Sequence, residues 1–337
     1  MKAAVFDAPR QISIREWETP TPGARDVLIR VKTAGICAGD TYIYQGKNPY
    51  AEYPVIGGHE IAGTIEQLGS EVTGLTVGQL VVIEPFLSCG QCYPCRVGKP
   101  NCCTHLHIIG VHRPGGYADF VAVPADHIHV VPDGISPTTA VFTEPLTIGI
   151  HACRRAGVMS GELVVVLGAG PIGLAIIEAV RARGGFPVAV DVLNSRLAVA
   201  AKLGAEVLPA NDHLLSKVLE RTKGEGAPVV IEATGNAKAM EATVDLVAAG
   251  GRIVIVGLLP KGKMIQLPGL DLTRKEMTIL GSRTEIDCFP DALRLLASGE
   301  VRYPQFASEF DLWKAGQVFA EITKESCAIH KGVFVHD

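Results

Sequence analysis

The densest chemistry in this chain lies between residues 89 and 103. The run Cys89-Gly90-Gln91-Cys92-Tyr93-Pro94-Cys95, with Cys103 following after seven intervening residues, places four thiols in one short loop. Four thiolates can close a tetrahedron around zinc and leave no open position, so such a site braces a loop and does no chemistry. A redox pair and an iron–sulfur site are the competing readings. Cys102 adjoins Cys103 and cannot easily share the same metal geometry, so it is read as a bystander, although the choice between the two stays open. A second, sparser group is Gly35-Ile36-Cys37-Ala38-Gly39-Asp40 with Gly57-Gly58-His59-Glu60, which sets a thiol, an imidazole and carboxylates in glycine-rich turns. Taken singly, Cys37 reads as a small core residue and His59 as a satisfied buried histidine.

A third motif points to a nucleotide. Leu163-Val164-Val165-Val166-Leu167-Gly168-Ala169-Gly170-Pro171-Ile172-Gly173 places a glycine-rich turn after a strand and before a helix over 174–182. Gly168 permits the tight turn, Gly170 lets the backbone approach a pyrophosphate, and Gly173 lets helix and strand pack closely. The helix N-terminus supplies unpaired N–H groups. Asp191 ends the next strand, where a carboxylate accepts hydrogen bonds from the adenosine ribose and repels a 2′-phosphate, favouring NAD over NADP. Arg196 could swing in to neutralise such a phosphate.

The elements that must carry these motifs change character along the chain. Up to about residue 145, short β-branched runs (26–31, 78–83, 118–123) cut by Gly and Pro suggest a mostly antiparallel, barrel-like domain. From there to about 283, buried-looking strands at 163–167, 187–190, 228–232, 252–256 and 278–280 alternate with helical stretches. That alternation predicts parallel βαβ units in a doubly wound sheet. An amphipathic segment at 291–296 precedes a strand-like tail at 332–335, expected to return to the first domain. At 337 residues two domains are the natural expectation. A net charge of −4 gives no reason to expect nucleic acid or an anionic membrane as partner, and a small solute is the better fit. The N-terminus reads as a strand and has no signal-peptide core, so a cytoplasmic location is expected.

Together the three motifs resemble the zinc-containing medium-chain dehydrogenases, from Pro20 to Pro290 at least. The resemblance implies an α/β chain with a GroES-like β-barrel catalytic domain (1–145 and 284–337) and a Rossmann NAD-binding domain (146–283). It implies a zinc-dependent, NAD-linked oxidoreductase acting on CH–OH donors, two zinc ions per subunit, and a homodimer or homotetramer. Cys37 and His59 become catalytic zinc ligands, with Glu60 a third ligand or exchanging neighbour. Glu144 stands where alcohol dehydrogenases carry a second cysteine; polyol and sugar-acid branches carry glutamate there. It is also a carboxylate at a helix start, before a proline suited to the first turn. Asp40 is expected to accept the other ring N–H of His59. Zinc lowers the pKa of a substrate hydroxyl, whose carbon then gives a hydride to the nicotinamide.

Two positions depart from the family pattern. Many relatives carry a hydroxyl residue two positions after the first zinc cysteine and a histidine five after it; this chain has Gly39 and Tyr42. The proton must then leave by a nearby glutamate, water, the cofactor ribose or Tyr42. The substrate branch divides between polyols, which Gly149–Arg155 resembles, and sugar acids, whose carboxylate could meet Arg283, Lys47 or His112. His105, His107, His127 and His129 are read as loop or strand-edge residues, and Cys153, Cys288 and Cys327 as packing cysteines. The competing function classes are a zinc-free quinone reductase, which the ligand motifs oppose, and a non-catalytic binding protein that retains the fold.

Overall fold

The structure is a computed structural model that describes residues 1–324, 327 and 329–336. It divides into two compact units, residues 1–144 with 289–299 and 304–337, and residues 145–288 with 300–303.

In the first unit the strand Asp26–Gly35 is the organiser. It pairs antiparallel with Glu60–Leu68 on one side and with Phe120–Pro124 and Lys331–Val335 on the other. Leu80–Ile83 and Ile128–Val130 extend the sheet one way, and Ala307–Asp311 the other. A smaller sheet joins Gln11–Glu16, Lys2–Ala8 and Val55–Ile56. Inward-facing Phe6, Ile29, Ile61, Ile65, Tyr117, Phe319 and Phe334 fill the core. Phe6 and Phe319 meet edge-on at 5.1 Å between centroids, an arrangement suited to the ring quadrupoles. This is the mostly antiparallel, barrel-like domain expected from the short β-branched runs, and the GroES-like barrel that the family resemblance implied; the tail strand does return to it.

Register brings distant residues to one end of this barrel. Gly35 lies opposite Glu60 in one neighbouring strand and Val333 in the other. Cys37, His59, Glu60 and Lys331 are therefore all within two residues of one transverse line. Gly35 is required there: a side chain would collide with the Glu60 carboxylate.

The second unit is a six-stranded, all-parallel sheet. In space its strands run Glu206–Pro209, Phe186–Asp191, Leu163–Leu167, Ala227–Glu232, Val247–Ile255 and Thr278–Gly281. In chain order this is 3-2-1-4-5-6, the doubly wound order whose switch point lies between the first and fourth strands. Val164, Val165, Val166, Val229, Val230 and Ile231 are fully buried, as strands covered on both faces must be. Residues 284–288, expected with the barrel, belong here: Arg154 donates to the carbonyls of Ile286 and Asp287 at 2.9 and 3.2 Å. The short return at 300–303 is pinned by buried Glu178, which accepts from the Arg302 and Tyr303 amides at 2.7 and 3.0 Å. No helix among the described residues is long and apolar enough to cross a membrane.

Candidate active site and metal centres

At the barrel end, ligand atoms of Cys37, His59 and Glu60 lie within 4.8 Å of one another. Cys37 is the N-cap of a helix, Ala38–Tyr44, that the glycine-rich spacing had suggested only as a turn. Asp40, at the third helical position, accepts the Cys37 N–H at 2.9 Å and closes a capping box that fixes the thiol's backbone. Fully buried Asp40 also accepts from the Tyr117 hydroxyl at 2.9 Å and the Gly58 amide at 3.3 Å. Its distance to His59 Nδ1 is 3.7 Å, beyond hydrogen-bond reach, so the direct bond expected between them is replaced by an electrostatic contact. Burial alone would depress the His59 pKa, but Cys37 and Asp40 overcome it and hold the ring well above its ordinary value. A field that favours positive charge on a buried imidazole equally favours a metal cation. Glu60 Oε2 and His59 Nδ1, both buried and without a hydrogen-bond partner, leave metal-ligand capacity in the same cluster.

Lys331 is the residue that sequence reasoning missed. Its buried ammonium donates to Glu60 Oε1 and, at 3.1 Å, to the Ile36 carbonyl, and it lies in ion-pair contact with Glu60 Oε2. Burial works against the charge, but Glu60, Cys37 and Glu144 more than offset it and raise the Lys331 pKa. Nothing near Lys331 in the sequence signals this, because its partner is 271 residues away. Tyr117, which steadies Asp40 from 77 residues away, is equally silent. Glu144 sits buried in the first turn of the helix Thr143–Ala156. Desolvation raises its pKa to about 7, with His59 and Lys331 pulling down and Glu60 and Asp40 pushing up. It feels the cluster electrostatically but is outside the set of ligand atoms within 4.8 Å. Tyr42 is 46% exposed on the Ala38–Tyr44 helix.

Cys89, Cys92, Cys95 and Cys103 converge as their spacing requires, all four sulfurs within 4.8 Å. Cys92 Sγ stands 3.4 Å from Cys95 Sγ and 3.7 Å from Cys103 Sγ. A tetrahedron with zinc–sulfur bonds of about 2.3 Å has edges of about 3.8 Å, so the four thiols fit that ion. The Cys95 and Thr104 amides push Cys92 down to about 5, while burial and the neighbouring thiols push Cys95 up to about 11. Four crowded thiols cannot all ionise without a cation among them. Cys103 is the member of this set, whereas Cys102 is exposed and outside it. Cys153 and Cys288 are buried, each thiol raised to about 12 chiefly by desolvation, as packing cysteines should be; Cys327 is half-buried.

In the second unit, Gly168 takes φ +98°, which a side chain would strain. Gly173 packs so closely on the Gly168 carbonyl that a Cβ would collide with it. Gly170 is different: it is the N-cap of the helix Pro171–Ala182, with Pro171 and Ile172 in the first turn, and a Cβ there would meet only Arg196 Nη1 at 3.9 Å. That open space before free helix amides is the cradle a pyrophosphate needs. Asp191, at the end of Phe186–Asp191, accepts the Ala169 amide at 2.8 Å and the Leu193 amide at 2.9 Å. Arg196 Nη1 lies 3.6 Å from the same carboxylate. Asp191 thus shapes the glycine turn itself, and Arg196 offsets part of the charge that would repel a 2′-phosphate.

Of the substrate candidates, His112 lines a cleft in the first unit, while Lys47 is exposed in the loop after the Ala38–Tyr44 helix and does not line it. Arg283 is exposed in the second unit, after Thr278–Gly281. His107, read as a loop or strand-edge residue, begins the short strand His107–Ile108 and stands beside His112 with ring centroids 5.5 Å apart. His127 and His129 are occupied by Glu84, at 3.1 Å each.

A barrel that carries two clusters of metal-ligating side chains, and a doubly wound sheet whose glycine turn opens before a helix N-terminus, are the marks of a zinc-binding, nucleotide-linked dehydrogenase. Two family descriptions match the chain: alcohol dehydrogenase GroES-like domain over residues 23–133, and zinc-binding dehydrogenase over 171–298. The L-galactonate-5-dehydrogenase of Escherichia coli K12 is 38% identical over 304 residues, covering 89% of this chain and 88% of the relative. The sorbitol dehydrogenase of Halalkalibacterium halodurans is 35% identical over 278 residues, covering 81% and 80%. A solved short chain alcohol dehydrogenase (rspB) of Escherichia coli CFT073, complexed with NADH, superposes with a TM-score of 0.93 at 31% identity, covering 100% and 99%. The chain belongs to the zinc-binding, medium-chain alcohol dehydrogenase family, and it is an oxidoreductase of the alcohol dehydrogenase class.

Proposed function

We propose that the protein oxidises a secondary hydroxyl of a polyol or sugar acid to a ketone, with NAD as the hydride acceptor. The observation that carries this reading is the convergence of half-buried Cys37 with buried His59 and Glu60 at one barrel end. A zinc ion held there supplies Lewis acidity toward a substrate hydroxyl, and NAD supplies the hydride acceptor. The chain's own residues do the rest. Lys331 holds Glu60, and Asp40 with Tyr117 locks the Cys37 turn. Glu144, buried beside these charges, is the group we assign to contact the zinc directly or through water and to carry the hydroxyl proton, since Gly39 and Tyr42 replace the relay of other relatives. Gly170 gives the pyrophosphate its approach in a turn shaped by Gly168 and Gly173, and Asp191 meets the ribose. The sugar-acid and polyol classes are supported by the L-galactonate and sorbitol dehydrogenases among the relatives.

Assembly as a homodimer or homotetramer is part of the proposal. Thr278–Gly281 is the outer strand of its sheet and is mostly exposed, an edge that a second copy could pair. Nine free thiols, four of them a metal set, suit a reducing, cytoplasmic compartment. The test is zinc analysis combined with NADH absorbance during a screen of alditols, aldonates and simple secondary alcohols, run with NAD and NADP. The expected result is two zinc ions per chain and turnover preferring NAD. Bound zinc with no turnover on any substrate would instead identify a binding protein that keeps the fold.

A further inference from the structure

A cleft of about 380 Å³ in the first unit is walled by Trp17, Tyr50, Glu52, His107, His112 and Arg113. Its floor includes Val55 and Ile56, which lead directly into Gly57-Gly58-His59. The turn that carries His112 is seated on the same segment. Gly110, at φ +82°, packs so that a Cβ would meet the Gly58 carbonyl oxygen at 2.6 Å. The Gly115 and Gly116 amides donate to the carbonyls of Ile56 and Gly58, at 2.9 Å each. The cleft is thus built onto the backbone that positions His59.

The chemistry of the wall is specific. His112 Nδ1 accepts the Ile108 amide at 3.0 Å, so Nδ1 keeps its lone pair and the neutral ring carries its proton on Nε2, as a donor. Desolvation and His107 hold His112 below the ordinary imidazole range, which keeps this neutral form dominant near pH 7. Arg113 adds a planar fork of N–H donors suited to a carboxylate. The Tyr50 ring stands 6.3 Å from His112 and is 70% exposed, at the rim. Glu52 is the carboxylate of the wall, an acceptor for hydroxyls. A donor-rich wall with one cation and one anion complements a small polyhydroxy solute with one anionic end.

We propose that this cleft receives the carboxylate of a sugar acid, and that His112 and Arg113, with His107 alongside, select an aldonate over the matching alditol. The proposal rests on the oxidoreductase reading only for the role of the bound solute. The test titrates the zinc-loaded protein with NADH present, using gluconate, sorbitol and sorbitol 6-phosphate as probes in calorimetry, beside steady-state rates. Arg113→Ala and His112→Phe should weaken gluconate roughly 10–100-fold, the worth of a charge-assisted hydrogen bond, and sorbitol less than about threefold. Arg113→Lys should recover part of the loss. Both side chains are exposed; Arg113→Ala leaves every backbone contact of the turn in place, and thermal melting of His112→Phe checks the turn that loses the Ile108 hydrogen bond. Equal weakening of gluconate and sorbitol, no weakening at all, or tighter binding of sorbitol 6-phosphate than gluconate would overturn the assignment. Selective loss of gluconate in a protein that turns over neither probe would uphold the subsite and sink the hydride-transfer reading; turnover with unselective variants would do the reverse.

Discussion

Cys89, Cys92, Cys95 and Cys103 come from fifteen consecutive residues, whereas Cys37, His59, Glu60, Glu144 and Lys331 are drawn from almost the whole chain. The first set needs only a short loop to close, at small entropic cost, and its sulfurs accept nearby amides: Cys103 takes those of Cys89 and His105 at 3.3 Å each. Cys37, His59, Glu60 and Lys331 meet only when three strands are in register, and Glu144 reaches them from the helix Thr143–Ala156. Apart from half-buried Cys37 this second set is also buried, so each charge must be answered by another, and Lys331 answers Glu60. One site holds a loop together; the other is held together by the fold. That difference sets what each should do when broken.

The largest effect should follow Cys37→Ser. Turnover should fall by roughly 10³-fold or more, the scale of losing a metal's transition-state stabilisation, and zinc should fall from two ions to one with little change in melting temperature. Zinc analysis beside kcat checks this; unchanged turnover would remove the site from catalysis. Lys331→Met should be next, costing about 3–5 kcal/mol by leaving Glu60 charged and unpaired in the interior. Combining it with Glu60→Gln should restore much of that stability, and denaturant titration of the two single variants and the double measures it. Additive losses would show that the pair is not coupled.

Cys95→Ser should act the other way from Cys37→Ser. We expect a melting temperature lower by roughly 10 °C, about 3 kcal/mol, with kcat per folded molecule nearly unchanged. If turnover collapses in step with the first variant, the division of labour between the clusters is wrong.

A smaller effect separates metal loss from the acid response of the barrel itself. Burial holds His336 down at about 4, so the folded state prefers the neutral ring while the unfolded chain titrates near 6.5. Its stabilising contribution is complete above pH 6.5 and is lost as pH falls toward 4, by at most about 3 kcal/mol. His336→Phe should flatten stability against pH in that window, measured by denaturant midpoints with zinc content followed in parallel. An unchanged slope would leave the metal ligands as the source of acid lability.

The Rossmann unit was the most legible part of the chain, because each of its expected strands is a short apolar run bounded by turn residues. Leu163–Leu167 falls where it was expected to the residue, and Gly168 takes the positive φ its place in the turn demanded. The barrel's strands were legible in outline only. The helix Ala38–Tyr44 was hidden by its glycine-rich approach, and Ala315–Ile322, whose Phe319 is central to the core, carries no chemical motif.

What the sequence determined by itself is local: a four-cysteine loop, a glycine turn between strand and helix, and the alternation that makes a parallel sheet. Each depends on spacings of a few residues, over which backbone geometry is nearly fixed. Tertiary structure alone decided that Asp40 would serve Cys37, Gly58 and Tyr117 while standing 3.7 Å from His59, and that His107 would join His112 on one wall. It also decided that Lys331 would meet Glu60 across 271 residues. Such pairings depend on strand register, in which a shift of one residue turns every side chain to the other face, and no short-range pattern in the chain records it.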